Sequence, residues 1–252
     1  MRRTVRRLLC IFPFEEAFFR AEGVAASYIG HPLAGRARPA LSRDEFFRKH
    51  RLAPERPLVS VLPGSRRGEA ARHLPALLEA VGLLYREQAI NVVLPASDTT
   101  GAAFFEGRIG EGPIRVIEGE SWDAMAHADV ALVASGTVTV EAALLGTPMV
   151  AFYKVSTPSW LIGKLLVKVP FFTMVNLIAG RAVVPELIES RMTGEALARE
   201  ARRLLRDPAA RAGMQAGLQE VREKLSAGPV QACARAAVIM QEILEGQTAH
   251  VS

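Results

Sequence analysis

Short, continuously apolar runs alternate with helical patterns from Leu58 to Phe152, and this alternation restricts the possible folds more than any other feature. Leu58 to Leu62 reads as a buried strand that stops at Pro63-Gly64, and Ile90 to Pro95, Ile114 to Ile117, Val130 to Ala134 and Pro148 to Phe152 follow as strands. None shows the in/out alternation of a sheet with one wet face. Strands buried on both sides and separated by helices imply a parallel sheet with helices on both faces. Leu74, Leu77, Leu78, Val81 and Leu84 share one helical face, and Pro75 fits a first turn, which predicts a helix starting near Leu74. Further helices fall near Trp122–His127 and Val138–Leu145. From Thr193 onward only helical spacing remains: Leu197, Ala201, Leu204 and Leu205 form one stripe, and Ala232, Ala236, Ile239, Ile243 and Leu244 another. The expected architecture is an α/β, Rossmann-like parallel sheet with a C-terminal helical tail.

Composition closes off other classes. Half of the 252 residues are hydrophobic and 23% are charged, which excludes a disordered chain, a collagen-like repeat and a disulfide scaffold. Cys10 and Cys233 have no metal-binding or redox spacing, so a reducing cytoplasm is the plain reading. A net charge of +5 suits anionic partners, whether phosphates, nucleic acid or an acidic membrane face. The basic opening, Met1 to Arg7, resembles a signal-peptide start, but Leu8 to Phe12 is too short for its apolar core. Trp160 to Ile178 is the most apolar later stretch. Lys164, Lys168 and Pro170 interrupt it, so it offers no clean span of about 20 residues.

Two strand ends carry the chemistry. After the first strand, Gly64 and Gly68 permit close backbone approach, Ser65 offers a hydroxyl, and Arg66 or Arg67 can fork onto phosphate oxygens. An ordinary turn with solvated arginines has the same spacing. It matches neither the Walker lysine pattern nor the G-x-G-x-x-G fingerprint. After Ala134, Ser135-Gly136-Thr137 opens a helix with Thr137 or Ser135 as N-cap, and such a terminus attracts anions. Glu141 lies one turn further on the same face. A carboxylate repels phosphate and suits a pair of neighbouring hydroxyls, as on a ribose; a solvated helix acid is the simpler alternative. Together the loops predict a nucleotide diphosphate cradle. There is no Asp-x-Asp pair and the five histidines never cluster, so arginine and helix ends, rather than a metal, are expected to meet the charge. No G-x-S-x-G hydrolase pattern occurs.

A third feature spans Thr157 to Arg181. Trp160, Leu161, Leu165 and Leu166 with Lys164 and Lys168 form a basic amphipathic stretch, followed by Phe171-Phe172; it fits an anionic lipid surface or simple core packing. Asn176 and Arg181 then flank Leu-Ile-Ala-Gly, where they can close over a ligand or cap short helices.

Read in series, these motifs resemble the lipid-A-disaccharide synthase family of GT-B glycosyltransferases. The likeness rests on Ile11 to Phe18, Ile29-Gly30-His31-Pro32, Leu62 to Arg66, Ala134 to Thr137 with Glu141, Asn176 to Arg181, and Val184 to Leu187, in family order and over nearly the whole chain. The resemblance implies transfer of diacylglucosamine from UDP-diacylglucosamine to diacylglucosamine 1-phosphate with release of UDP, without cofactor, metal or nucleic acid. It places Gly64, Ser65, Arg66, Ser135, Gly136 and Thr137 at the diphosphate and Glu141 at the ribose. The uracil is expected near Ile117–Trp122, and Asn176 and Arg181 near the donor. It further implies a cytoplasmic protein peripheral to the inner membrane, meeting an anionic surface.

Nothing here resembles the family's N-terminal half, which binds acceptor and carries the general base. Residues 1–34 read as a remnant of that half and an interdomain segment, 35–192 as the UDP-sugar domain, and 193–252 as helices packing on it. No catalytic residue is expected within the chain. Alone it is expected not to turn over, and a missing N-terminal half or a homodimer partner would complete it. The alternatives are a noncatalytic UDP-binding module, or another GT-B enzyme such as a peptidoglycan glucosaminyl transferase or UDP-sugar epimerase. The Pro-Gly-Ser-Arg and Asn-Leu-Ile-Ala-Gly-Arg segments argue against the last.

Overall fold

In a computed structural model of the chain, residues 4–154, 170–226, 228 and 231–248 are described. Contacts divide them into two units: residues up to 37 together with those from 219 onward, and residues 38–218. The divisions fall at 37/38 and 218/219 rather than at 34/35 and 192/193. The returning chain joins the opening one because the His31 N–H donates to the Leu225 carbonyl (2.8 Å) and the Tyr28 hydroxyl to that of Lys224 (2.5 Å).

In the first unit, β1 (Leu8–Cys10) and β2 (Ala26–Tyr28) pair in parallel, joined by α1 (Pro13–Ala21). Pro13 takes the first helical position, where its missing N–H is harmless, and the Glu15 carboxylate accepts from the N–H groups of Ile11 and Phe12.

The second unit is built on six parallel strands: β3 (Leu58–Leu62), β4 (Asn91–Ala96), β5 (Ile114–Glu118), β6 (Val130–Ala134), β7 (Met149–Tyr153) and β8 (Glu186–Ile188). Every residue of β3, β4 and β6 is buried, which explains their unbroken apolar reading. The spatial order is β5-β4-β3-β6-β7-β8, so the chain steps outward in one direction from β3, then returns to β3's other side and steps outward in the opposite direction. This is the doubly wound order, and the expected fold class is observed.

Helices α2 (Arg43–Lys49), α3 (Arg67–Glu87), α4 (Ala102–Ile109), α5 (Ser121–Ala126), α6 (Thr137–Leu144) and α7 (Met174–Ala179) connect or flank the strands, and α8 (Gly194–Arg206), α9 (Pro208–Ser226) and α10 (Ala232–Thr248) follow. Phe46 and Phe47 of α2 pack with Leu58, Val93 and Ile117. The buried Asp123 carboxylate fixes that corner by accepting from the N–H groups of Ala40 and Leu41 at 2.8 and 2.7 Å. α8 buries Leu197, Ala198, Ala201 and Leu204 and lies along α3. The helices close tightly where a Cβ on Gly194 would come within 2.4 Å of Glu79.

One expected boundary moves. α3 begins at Arg67, two turns before Leu74, with Pro75 inside it. Pro75 has no N–H to give the Ala71 carbonyl, and the turns ahead of it are anchored by buried Ala70 and His73. Among the described residues no helix is long and apolar enough to cross a membrane.

Candidate functional site

The order of the strands determines where a ligand can lie. β3 and β6 are neighbours whose connections leave in opposite directions, so a crevice opens beyond their carboxyl ends. The loop after β3 and the loop after β6 both enter it. With the ends of β4, α5 and β7 they line a cleft of about 370 Å³ that includes Gly64, Ser65, Arg66, Ser135, Gly136, Thr137 and Glu141. Seven residues singled out from two separate stretches of sequence thus share one wall-to-wall space.

Backbone geometry suits an anion. α3 starts at N-cap Arg66 and α6 at N-cap Gly136, neither has a side-chain cap, and both N-caps line the cleft, so the positive dipole ends of both helices lie beside it. The expectation of Thr137 or Ser135 as N-cap is corrected: the Ser135 hydroxyl donates to the Phe172 carbonyl (3.0 Å), and the hydroxyl bonding back to Gly136 is that of Thr139 (2.7 Å). Gly64 adopts φ +112°, which a side chain resists, and a Cβ on Gly136 would meet nothing within 4 Å. Of the two candidate arginines, Arg66 lines the cleft, whereas the Arg67 guanidinium lies 5.9 Å from the centre of the Phe104 ring.

Glu141 faces α5, which packs against β4. Its Oε2 accepts from Trp122 Nε1 at 2.6 Å, and no hydrogen bond reaches Oε1 from the described residues. Burial pushes its carboxyl above the usual value, against the opposing Trp122 bond. Ser121, beside Trp122, also lines the cleft and belongs to the segment 117–122 where a base was expected.

The lipid-A-disaccharide synthetase family model matches residues 1–243. The chain belongs to that family. It is 74% identical over 252 residues to the lipid-A-disaccharide synthase of Solibacter usitatus (strain Ellin6076), covering 100% of this chain and 66% of that protein. It is 39% identical to that of Syntrophus aciditrophicus (strain SB) over 245 residues, 96% of this chain and 63% of the relative. The chain therefore spans less than two thirds of the length of these relatives. Among solved structures, the putative UDP-N-acetylglucosamine 2-epimerase from Listeria monocytogenes aligns with a TM-score of 0.59 at 16% identity, over 88% of this chain and 59% of that one. The calicheamicin glycosyltransferase CalG4 aligns at 0.54 and 18%, over 87% and 47%. At such identities the likeness concerns the fold alone.

Two members of the expected donor set do not line the cleft. Asn176 is 1% exposed and spends its whole amide on backbone and Glu186: Nδ2 donates to the Val184 carbonyl and Glu186 Oε1, and Oδ1 accepts from the N–H groups of Val183 and Val184. Arg181 is exposed on the loop after α7. A polar residue among apolar neighbours looks the same in sequence whether it meets ligand or backbone. The basic stretch Trp160 to Lys168 lies outside the described residues.

The sequence reading gave no role to other residues at the cleft. Glu69 and Tyr153 line it, and fully buried His73 lies behind it. The Lys154 N–H donates to His73 Nε2 (3.0 Å), so its partners assign the proton to Nδ1, which donates to the Pro63 carbonyl (2.8 Å). His73 thereby joins the ends of β3 and β7. Burial is the main reason its pKa falls below the ordinary 6.5, although the bonds to Pro63 and Lys154 and the Glu69 charge pull the other way. In the window between the folded and unfolded values the unfolded chain binds more protons. Stability is therefore held above pH 6.5 and lost as pH falls through it. His31, also depressed by burial, acts in the same direction. The urea midpoint is expected to drop between pH 7.5 and 5.5, and to drop less in His73→Asn; an identical drop in the variant would exonerate His73.

Proposed function

We propose that this chain holds the UDP portion of UDP-diacylglucosamine for transfer of the sugar to diacylglucosamine 1-phosphate. The observation that carries the reading is the meeting of two uncapped helix starts and Arg66 at the β3/β6 crevice, with Glu141 to one side. The diphosphate sits on the helix ends and Ser65. The ribose hydroxyls donate to Glu141, and the uracil lies against the 117–122 backbone. An acceptor hydroxyl attacks the anomeric carbon with inversion, and the bond to the diphosphate breaks. Negative charge grows on the departing UDP, where Arg66 and the fixed N–H groups stabilise it without reorganising. The general base and the acceptor site belong to the part of the relatives that this chain does not span. Both substrates carry acyl chains, so the reaction is placed at the cytoplasmic face of the inner membrane, with the protein peripheral to its anionic surface.

Titration with UDP and 2′-deoxy-UDP tests the cradle. A carboxylate hydrogen bond is worth about 1.5–3 kcal/mol, so UDP is expected to bind about tenfold more tightly than the deoxy analogue. Glu141→Gln is expected to erase most of that preference. A wild-type chain that does not distinguish the two ligands would remove Glu141 from the ribose.

A further inference from the structure

We infer that Glu69 and Tyr153 form the subsite for the hexosamine ring of the donor, with Glu69 accepting from its free hydroxyls and Tyr153 as a positioning residue. This rests on the UDP reading above and assigns the far end of the same cleft. The strand order supplies a ruler, because neighbouring strand ends are spaced by about 4.8 Å. Trp122, on the helix that packs against β4, and Glu141 mark one flank, and the uncapped helix starts mark the β3/β6 crevice. A nucleotide laid from the first to the second points whatever follows its diphosphate toward β7. The last residue of β7 is Tyr153, and it lines the cleft with Glu69.

Glu69 is held there rather than loose in solvent. It is the third residue of α3, and its Oε2 lies 2.9 Å from the position a Cβ on Gly64 would take, so it leans across the phosphate loop. Tyr153 stands close enough to feel the Glu69 carboxylate, which, after burial, pushes the phenol above its ordinary value. One turn on, along the same helix face, His73 ties α3 to Pro63 and to the backbone just after Tyr153. A carboxylate fixed beside a diphosphate seat opposes the diphosphate itself. Its chemistry matches the neutral, hydroxyl-rich group beyond, and hexosamine hydroxyls left unacylated are donors for it.

The test uses calorimetric titration of the 252-residue chain with UDP and with UDP-N-acetylglucosamine, which carries the same ring in soluble form. Wild type is expected to gain affinity from the sugar. Glu69→Gln is expected to lower the ratio of sugar-nucleotide to UDP affinity about tenfold without weakening UDP, as loss of one charge-assisted bond requires. Tyr153→Phe is expected to shift the same ratio by a smaller factor, a change that a merely structural role would not make. The inference is overturned by a wild type that gains nothing from the sugar, or by a Glu69→Gln chain whose two affinities move together or not at all. Failure of wild type to bind UDP more tightly than uridine would instead overturn the underlying nucleotide site.

Discussion

Replacing Arg66 by Ala is expected to weaken UDP binding on the order of a hundredfold and to leave the unfolding midpoint unchanged. The asymmetry follows from exposure. In the free chain Arg66 is solvated at the N-cap of α3 and makes no side-chain cap bond, so removing it leaves no orphaned partner. Once a diphosphate fills the cleft, the guanidinium can offer two parallel N–H donors to it away from bulk water, at about 1.5 kcal/mol or more apiece. Arg66→Lys is expected to recover only part of the loss, because an ammonium keeps the charge but not the fork. Arg67→Ala is the internal comparison: that side chain lies over Phe104 and is expected to leave UDP affinity within about twofold. If Arg67→Ala proved the more damaging change, the diphosphate would have been placed on the wrong side of the loop.

What could be read in advance depended on the range over which the information is spread. β6 is buried at every position from Val130 to Ala134, and its edges coincide with the apolar run. The two loops that meet at the cleft were legible because each is a local strand-to-helix turn. The start of α3 was not, since Pro75 is locally indistinguishable from a first-turn proline; only the anchoring of His73 to Pro63 and Lys154 shows that the helix began earlier. The same holds for the partners of known residues. Trp122 meets Glu141 across 19 positions and Lys154 meets His73 across 81, and no spacing rule reaches that far. Asn176 is the instructive case. Its motif drew attention to it correctly as an unusual polar residue, but placement among buried backbone groups, which pattern cannot convey, decides what it touches.

That placement makes Asn176→Ala the substitution expected to destabilise most, by about 3–4 kcal/mol. The change strips partners from the N–H groups of Val183 and Val184, the Val184 carbonyl and Glu186 Oε1, and Val184 is only 2% exposed, so water does not readily replace them. Glu186 would feel the loss next. Its carboxylate also accepts from the Phe172 and Thr173 N–H groups and the Thr173 hydroxyl, and the Phe172 carbonyl is the acceptor for Ser135 in the cleft. The conservative Asn176→Asp separates this staple from a direct ligand contact. An aspartate can still accept from Val183 and Val184, but its second oxygen would face the Val184 carbonyl and the Glu186 carboxylate where an amide donor stood. Urea unfolding is therefore expected to show both variants shifted in midpoint by similar amounts, while UDP affinity of the folded chain falls far less than in Arg66→Ala. The opposite pattern, an unchanged midpoint with lost UDP binding, would move Asn176 from the scaffold into the site.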